Sequence, residues 1–183
     1  MTAIEWTTRL FGHGSVAGRA PPSARKYLMR ERLASIGDDF PIENEEGELA
    51  FSVDGTAARV MHTLILRDSH GNDLYRIPER TLHLKNVMEI ERSGYPAATV
   101  RRTKVGTVRE RWTVTIPGGE VLELKGGIAD HEYKVEVKGR ELAHVSKRWF
   151  RARDTYGVSI LRGEDEALIL TIAVAVDQMT HSH

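Results

Sequence analysis

The C-terminal stretch GEDEALILTIAVAVDQMTHSH, residues 163–183, decides the fold. Within it, Thr171 is the only polar residue of the run 167–176, so the run presents apolar side chains in every direction. As a helix, ten residues extend about 15 Å, or about half the hydrocarbon core of a bilayer. The run therefore does not span a membrane, and a segment within the protein is the remaining interpretation.

Two interpretations of this run compete. Its Ile and Val residues favour a long strand that is buried on both faces. The three consecutive carboxylates Glu164–Glu166 favour a helix instead, because negative charge stabilises the exposed N–H groups at a helix N-terminus. We favour a helix over about residues 164–179. Because such a helix is apolar all round, protein must surround it on every side.

Composition sets broad limits on the fold and on the partners. The 183 residues are 40% hydrophobic, which is enough for one domain with a sizeable core. Lys plus Arg and Asp plus Glu each total 26, so no global charge attracts nucleic acid, and we expect no nucleic-acid partner. The chain has no cysteine, which excludes disulfides, cysteine zinc sites and a thiolate nucleophile.

The N-terminal residues form a region of their own. Glu5 and Arg9 interrupt each apolar stretch, so we expect no secretory signal and a cytoplasmic protein. Residues 1–26 are rich in Gly, Ala, Ser and Pro, and the only charges from Arg9 to Lys26 are basic. We interpret residues 1–26 as a flexible basic arm and residues 27–183 as a single domain.

From Tyr27 onward the dominant pattern has a period of two residues. In WTVTIPGGEVLEL, residues 112–124, apolar side chains alternate with polar ones, stop at Pro-Gly-Gly and resume. In EYKVEV, residues 132–137, Tyr and Val alternate with Lys and Glu before Gly139. Both patterns are typical of antiparallel hairpins with one buried face.

Glycines recur at the turns of these hairpins, at a spacing of about two strands and two turns. They stand at Gly47, Gly71, Gly94, Gly119 and Gly139. This spacing predicts ten to twelve short strands in a meander, and a sheet of that size closes on itself to remove its exposed edges. We therefore predict a mainly β fold, a closed antiparallel barrel of about twelve strands around the hydrophobic C-terminal helix.

Three segments carry a resemblance to a known family. They are KYLMRERLASIGDDFPIENEEGELAFSVDG (26–55), DHEYKVEVKGRELAHVSKRWFRARDTYGVSI (130–160) and GEDEALILTIAVAVD (163–177). Together they resemble the LURP-one-related family in its bacterial, scramblase-like branch, from Tyr27 to about Asp177. The resemblance implies a tubby-C-terminal-like fold, a twelve-stranded barrel around a central hydrophobic helix. Related folds include the tubby proteins, which bind phosphoinositides, and the phospholipid scramblases, which act at membranes.

Two basic segments are the candidate binding residues. In SKRWFRAR, residues 146–153, cations flank Trp149 and Phe150, an arrangement that suits phosphate groups at a lipid interface. The other basic segment has two parts, one before and one after residues 105–108. The candidate lipid-binding residues are Arg101, Arg102, Lys104, Arg109, Arg111, Lys147, Arg148, Trp149, Arg151 and Arg153. The alternative interpretation is an ordinary solvated surface over packed aromatic side chains.

No pattern predicts a catalytic or metal site. His131 follows Asp130, but no nucleophile motif accompanies them, and we interpret the segment as a locally hydrogen-bonded turn. DSHGND, residues 68–73, lacks the bidentate Glu of a calcium loop, so we expect Gly71 to supply a positive φ there. His181 and His183 lack further ligands for a metal. We predict no catalytic residues, no metal and no cofactor.

Three functional hypotheses follow from the sequence. The first is a non-enzymatic module that docks on anionic phospholipid or phosphoinositide head groups, peripheral at the membrane. The second is a protein-interaction or regulatory domain, for which an exposed apolar patch around Trp6, Trp149 or Phe150 would be the sign. The third and least favoured is an enzyme with an unrecognised site.

Overall fold

The computed structural model describes residues 24–30, 39–54, 63–78, 86–105, 109–148 and 155–181. These residues form twelve antiparallel strands in one closed barrel, followed by one helix. The order around the barrel is β1-β12-β11-β10-β9-β8-β7-β6-β5-β4-β3-β2, so every strand pairs with its neighbours in sequence and β1 closes the barrel against β12. The predicted mainly β fold with a closed twelve-stranded barrel is confirmed.

The strands are mostly short, and the connections that the structure describes between them are tight turns. Their bounds are β1 Ala24–Arg30, β2 Phe40–Glu43, β3 Leu49–Val53, β4 Leu64–Asp68, β5 Asp73–Ile77, β6 Val87–Arg92, β7 Tyr95–Val105, β8 Arg109–Ile116, β9 Glu120–Gly127, β10 Glu132–Val137, β11 Arg140–Ser146 and β12 Thr155–Leu161. The helix α1 is Glu166–His181. Among the described residues, no helix has the length and apolar content needed to cross a bilayer.

The periodic glycines all lie at one end of the barrel, which we call the turn end. Each adopts a positive φ, between 78° and 95°. They are Gly47, Gly71, Gly94, Gly119 and Gly139. Because the left-handed region is costly for other residues, glycine at these positions lets each hairpin reverse direction tightly. The glycine spacing in the sequence is therefore the repeat of hairpins whose turns meet at the turn end.

The period of two separates the core from the outside of the barrel. Trp112 and Val114 of β8 are buried, as are Tyr133, Val135 and Val137 of β10. Alternate residues on the same strands point away from the core and are mostly polar. The inward-facing side chains and α1 belong to one continuous core cluster.

The helix α1 fills the barrel. Every residue from Ile169 to Met179 is buried, so α1 has no solvent-facing stripe along this length. It extends about 24 Å, from the turn end towards the opposite end of the barrel, where β9 meets β10. The strand interpretation of the apolar run is wrong and the helix interpretation is right, since a helix satisfies its own backbone hydrogen bonds inside an apolar cavity.

Three carboxylates fasten the start of α1 to separate strands at the turn end. Glu166 accepts hydrogen bonds from Tyr27 Oη at 2.5 Å and Arg25 Nη1 at 3.1 Å. Tyr75 Oη donates to Asp165 at 2.5 Å, and burial together with this hydrogen bond raises the pKa of Tyr75 to about 12. Glu164 pairs with Arg140 of β11, again at the turn end.

The helix begins two residues later than predicted, at Glu166 instead of residue 164. The reason is that Asp165 caps the helix: its carboxylate accepts a hydrogen bond from the backbone N–H of Leu168 at 2.9 Å. At the other end of the sequence, β1 begins at Ala24, three residues before the predicted start of the domain. The predicted arm otherwise lies outside the described residues.

Candidate anion-binding surface

The β7–β8 hairpin carries the first predicted basic segment, and the strand register divides that segment between two faces. Ala98 and Val100 on β7, and Trp112 and Val114 on β8, are at most 2% exposed and face the core. Residues of the other parity therefore face outward. Since Arg101 and Arg102 are consecutive, their side chains point to opposite sides of the sheet.

The outward face of this hairpin consists mainly of threonines and arginines. Four register pairs run along it: Thr99 with Thr115, Arg101 with Thr113, Thr103 with Arg111, and Val105 with Arg109. The structure describes the side chains of the first three pairs. Arg101, Thr103, Arg111 and Thr115 are exposed. The first three pairs contain no carboxylate, although 28% of the chain is charged.

Arg101 and Arg111 are diagonal neighbours on this face. Each lies opposite a threonine, and such diagonal positions are about 7–8 Å apart in an antiparallel pair. Among the described residues, neither guanidinium has a carboxylate within ion-pair distance. The hydroxyls of Thr103 and Thr113 likewise form no hydrogen bond with another described residue. The face thus presents cations and hydroxyls that are available to solvent.

Arg102 faces the core side of the strand, and its guanidinium is already paired with a carboxylate. It ion-pairs with Glu110, and its guanidinium carbon lies 5.5 Å from the centre of the Trp112 ring. The hydrogen bond from Arg102 lowers the pKa of Glu110, and the charge of Lys104, which lies opposite Glu110, acts in the same direction. Arg102 therefore does not share the outward face with Arg101 and Arg111, and its charge is compensated by Glu110 at the inner face.

The described start of the second predicted basic segment, residues 146–148, lies at the same end of the barrel as the last residues of β7, with β9 and β10 between β8 and β11. The Arg148 side chain is 78% exposed, and its Nε lies 3.7 Å from Glu132. Lys147 is half-buried. Trp149, Arg151 and Arg153 lie outside the described residues, as do Phe150 and Trp6, and Arg109 is described only as the first residue of β8.

Acidic residues border the threonine and arginine face. Glu89 of β6 pairs in register with Thr99, and Glu123 of β9 pairs with Thr113. Glu123 is itself engaged, since Lys125 Nζ lies 3.1 Å from its carboxylate. The uncompensated positive charge is therefore confined to the part of the hairpin that contains Arg101 and Arg111.

A buried polar pair lies inside the barrel at the end opposite the turn end. His131 Nε2 is 3.1 Å from Asp177 Oδ1 of α1, and the two side chains are 1% and 0% exposed. The His131 ring stacks on Tyr156, with 4.3 Å between ring centres. Burial raises the pKa of the nearby Tyr133, and the negative charge of Asp177 adds to this effect. The pair joins the β9–β10 connection to the last part of the helix.

Sequence reasoning missed the partner of His131. The backbone does form a turn there, since His131 N donates to Ile128 O at 3.1 Å, but the side chain enters the core. His131 also has a φ of 51°, which is uncommon for a residue other than glycine. One signal was present in the sequence: Asp177 directly follows the apolar run, and a carboxylate on a buried helix requires a partner.

Metal binding has no support in the described part of the chain, where no group of three or more His, Cys, Asp or Glu residues has suitable geometry. In the loop 68–73, Asp68 is used by the turn itself. Its carboxylate accepts hydrogen bonds from the backbone N–H groups of His70 and Asn72, each at 2.9 Å. Gly71 has a φ of 85°, as predicted.

The fold defines a class, a closed twelve-stranded barrel with a hydrophobic helix at its centre. Residues 25–177 match the family model described as LURP-one-related, and the chain belongs to this family. It is 24% identical over 157 residues to the uncharacterized protein YxjI of Bacillus subtilis (strain 168), covering 86% of this chain and 94% of the relative.

Two plant proteins are also similar. Protein LURP-one-related 6 of Arabidopsis thaliana is 28% identical over 158 residues, covering 77% of this chain and 81% of the relative. An X-ray structure of a protein from Arabidopsis thaliana shares the fold, with a TM-score of 0.64 and 18% identity over 92% of this chain and all of that one. The names of these relatives describe no catalytic activity.

Proposed function

We propose that this barrel is a non-enzymatic binding module that docks on anionic phospholipid head groups through the outward face of the β7–β8 hairpin. The observation that carries this proposal is the pair of exposed arginines, Arg101 and Arg111, which have no carboxylate partner among the described residues. An exposed guanidinium near an anionic bilayer contributes about 1 kcal/mol of attraction. Anionic lipids are concentrated in the cytoplasmic leaflet, so the protein acts there as a peripheral protein.

The distribution of charge supports one orientation of the barrel on the membrane. Arg148 adds an exposed cation at the end opposite the turn end. At the turn end, by contrast, carboxylates outnumber cations among the described residues. The carboxylates there are Glu45, Glu46, Glu48, Asp68, Asp73, Glu120, Glu164, Asp165 and Glu166, and the cations are Arg25, Lys26, Arg67, Arg92, Lys138, Arg140 and Arg162. An anionic surface is therefore attracted less to the turn end than to the outward face of the β7–β8 hairpin, where Arg101 and Arg111 lie among threonines without a carboxylate.

Co-sedimentation with liposomes of graded phosphatidylserine content tests the proposal. We expect binding that rises with anionic lipid and falls with salt, because salt screens exposed charges. Replacement of both arginines, Arg101→Gln with Arg111→Gln, should weaken binding by about 2 kcal/mol, or about thirtyfold.

The matched control removes the same charge at the turn end, with Lys138→Gln and Arg162→Gln. Both side chains are exposed at the turns. We expect this control to bind nearly as well as the unaltered protein. Equal losses in the two double variants would argue for diffuse attraction without an oriented surface, and no binding at low salt would end the proposal.

Recognition of a partner protein is the second candidate, and exposed apolar side chains at the turn end favour it. Tyr95 is 76% exposed, Leu49 48% and Val121 44%. They lie on β7, β3 and β9, which are not adjacent strands, so they do not form one continuous patch. This candidate therefore has less support than lipid docking.

A further inference from the structure

The hairpin face has a chemical arrangement that is more specific than positive charge. Arg101 and Thr103 are alternate residues of β7, and their register partners on β8 are Thr113 and Arg111. The four side chains thus form a square in which the two arginines occupy one diagonal and the two threonines the other. Each arginine has one threonine two residues away on its own strand and one threonine opposite it in the register.

This square matches a phosphomonoester better than it matches other anionic groups. A phosphomonoester carries a charge of about −2 near neutral pH and has three terminal oxygens that accept hydrogen bonds. Arginine binds such oxygens with two parallel N–H donors, and a hydroxyl supplies one further donor. Two arginines balance the charge of about −2, and the threonines supply donors for the remaining oxygen lone pairs. A carboxylate or a phosphodiester carries less negative charge than a phosphomonoester and so balances the same two arginines less completely.

The neighbouring strands limit the site to about one phosphate. Glu123 lies beside Thr113 on β9, and Val87 lies beside Arg101 on β6. A second phosphate placed towards β9 would meet the Glu123 carboxylate, which the 3.1 Å contact with Lys125 only partly offsets. The square therefore suits a single phosphate that approaches from outside the barrel.

We infer that Arg101, Arg111, Thr103 and Thr113 form a recognition site for one phosphomonoester carried by a membrane lipid head group. This inference rests on the proposed function and narrows it, because diffuse attraction to any anionic bilayer requires only the arginines. Recognition of the phosphomonoester requires the hydroxyls and the planar guanidinium as well. Variants that keep the positive charge therefore separate diffuse attraction from recognition of the phosphomonoester.

The experiment compares vesicles that contain phosphatidic acid, a phosphomonoester lipid, with phosphatidylserine vesicles adjusted to the same surface potential. We expect the unaltered protein to bind the phosphatidic acid vesicles about tenfold more tightly, since hydrogen bonds to a charged group contribute at this level. The variant Thr103→Val with Thr113→Val removes both hydroxyls and keeps shape and strand preference. It should bind the two kinds of vesicle equally.

A second variant, Arg101→Lys with Arg111→Lys, keeps the charge and loses the fork of donors. It should also lose the preference while it retains salt-sensitive binding to both vesicles. A threonine variant that keeps the full preference would overturn the site. An unaltered protein that binds both vesicles equally would overturn the inference and leave lipid docking standing, whereas failure to bind either vesicle would overturn both.

Isothermal titration with inorganic phosphate, without vesicles, distinguishes a lipid source from a soluble one. We expect weak binding, because a free phosphate is not accompanied by the neighbouring anionic lipids that also attract the protein's cations. Tight binding that the Thr103→Val, Thr113→Val variant abolishes would support the phosphate chemistry and overturn the lipid head group as its source.

Discussion

Truncation of the chain after Gly163 is expected to abolish folding. The deletion removes α1, whose largest buried apolar side chains are Ile169, Leu170, Ile172, Val174, Val176 and Met179. At about 1.5–3 kcal/mol for each buried side chain, they contribute about 9–18 kcal/mol, which is comparable to the net stability of about 5–15 kcal/mol of a typical domain. A barrel emptied of its helix therefore has no stable folded state.

Circular dichroism with thermal melting measures this outcome. The control lacks only Ser182 and His183, which follow the helix, and we expect it to melt cooperatively like the full chain. The truncated chain should show no cooperative transition and should aggregate through its exposed inner face. A soluble truncated chain with a cooperative melt would show that α1 is dispensable and would contradict a barrel whose core depends on the helix.

The second large effect is expected from Asp177→Ala, which removes one partner of the buried pair. Loss of a partner from a buried hydrogen bond costs about 1–3 kcal/mol, and an unpaired buried charge costs about 3–5 kcal/mol. Because His131 and Asp177 are at most 1% exposed, the imidazole that remains in the variant is buried away from bulk water. We expect the free energy of unfolding to fall by about 3 kcal/mol.

Urea unfolding of a double-mutant cycle isolates the contribution of the pair. His131→Phe and Asp177→Leu are each expected to destabilise the protein, and the double variant should lose much less than the sum of the two, since both polar groups are then absent. A coupling free energy of at least about 1 kcal/mol is expected. Additive losses would mean that the 3.1 Å contact does not stabilise the helix end.

Several features of the fold were predictable because they arise from local chemistry. The glycine at each turn is required by a positive φ, so the glycine spacing by itself reveals the hairpin repeat. The apolar run 167–176 with its preceding carboxylates indicates a buried helix for the same kind of reason. The helix begins at a different residue from the one predicted, because the cap formed by Asp165 depends on backbone geometry, which composition does not specify.

The candidate site was only partly predictable, because it depends on strand register. Consecutive Arg101 and Arg102 must face opposite sides of the sheet, but the sequence does not state which of them faces the core. Pairing with Trp112 places Arg102 on the inner side, where Glu110 neutralises it. The contact between His131 and Asp177 joins residues 46 positions apart, and a long-range contact of this kind leaves no local pattern.

Hydrogen exchange of the full chain with and without anionic vesicles tests the central claim most directly, because it locates the docking surface on the barrel. The claim predicts slower exchange in peptides covering residues 99–115, with little change in the turns at 44–48 and 69–72. Slower exchange confined to those turns, with residues 99–115 unaffected, would place the membrane at the turn end and contradict the assignment of Arg101 and Arg111.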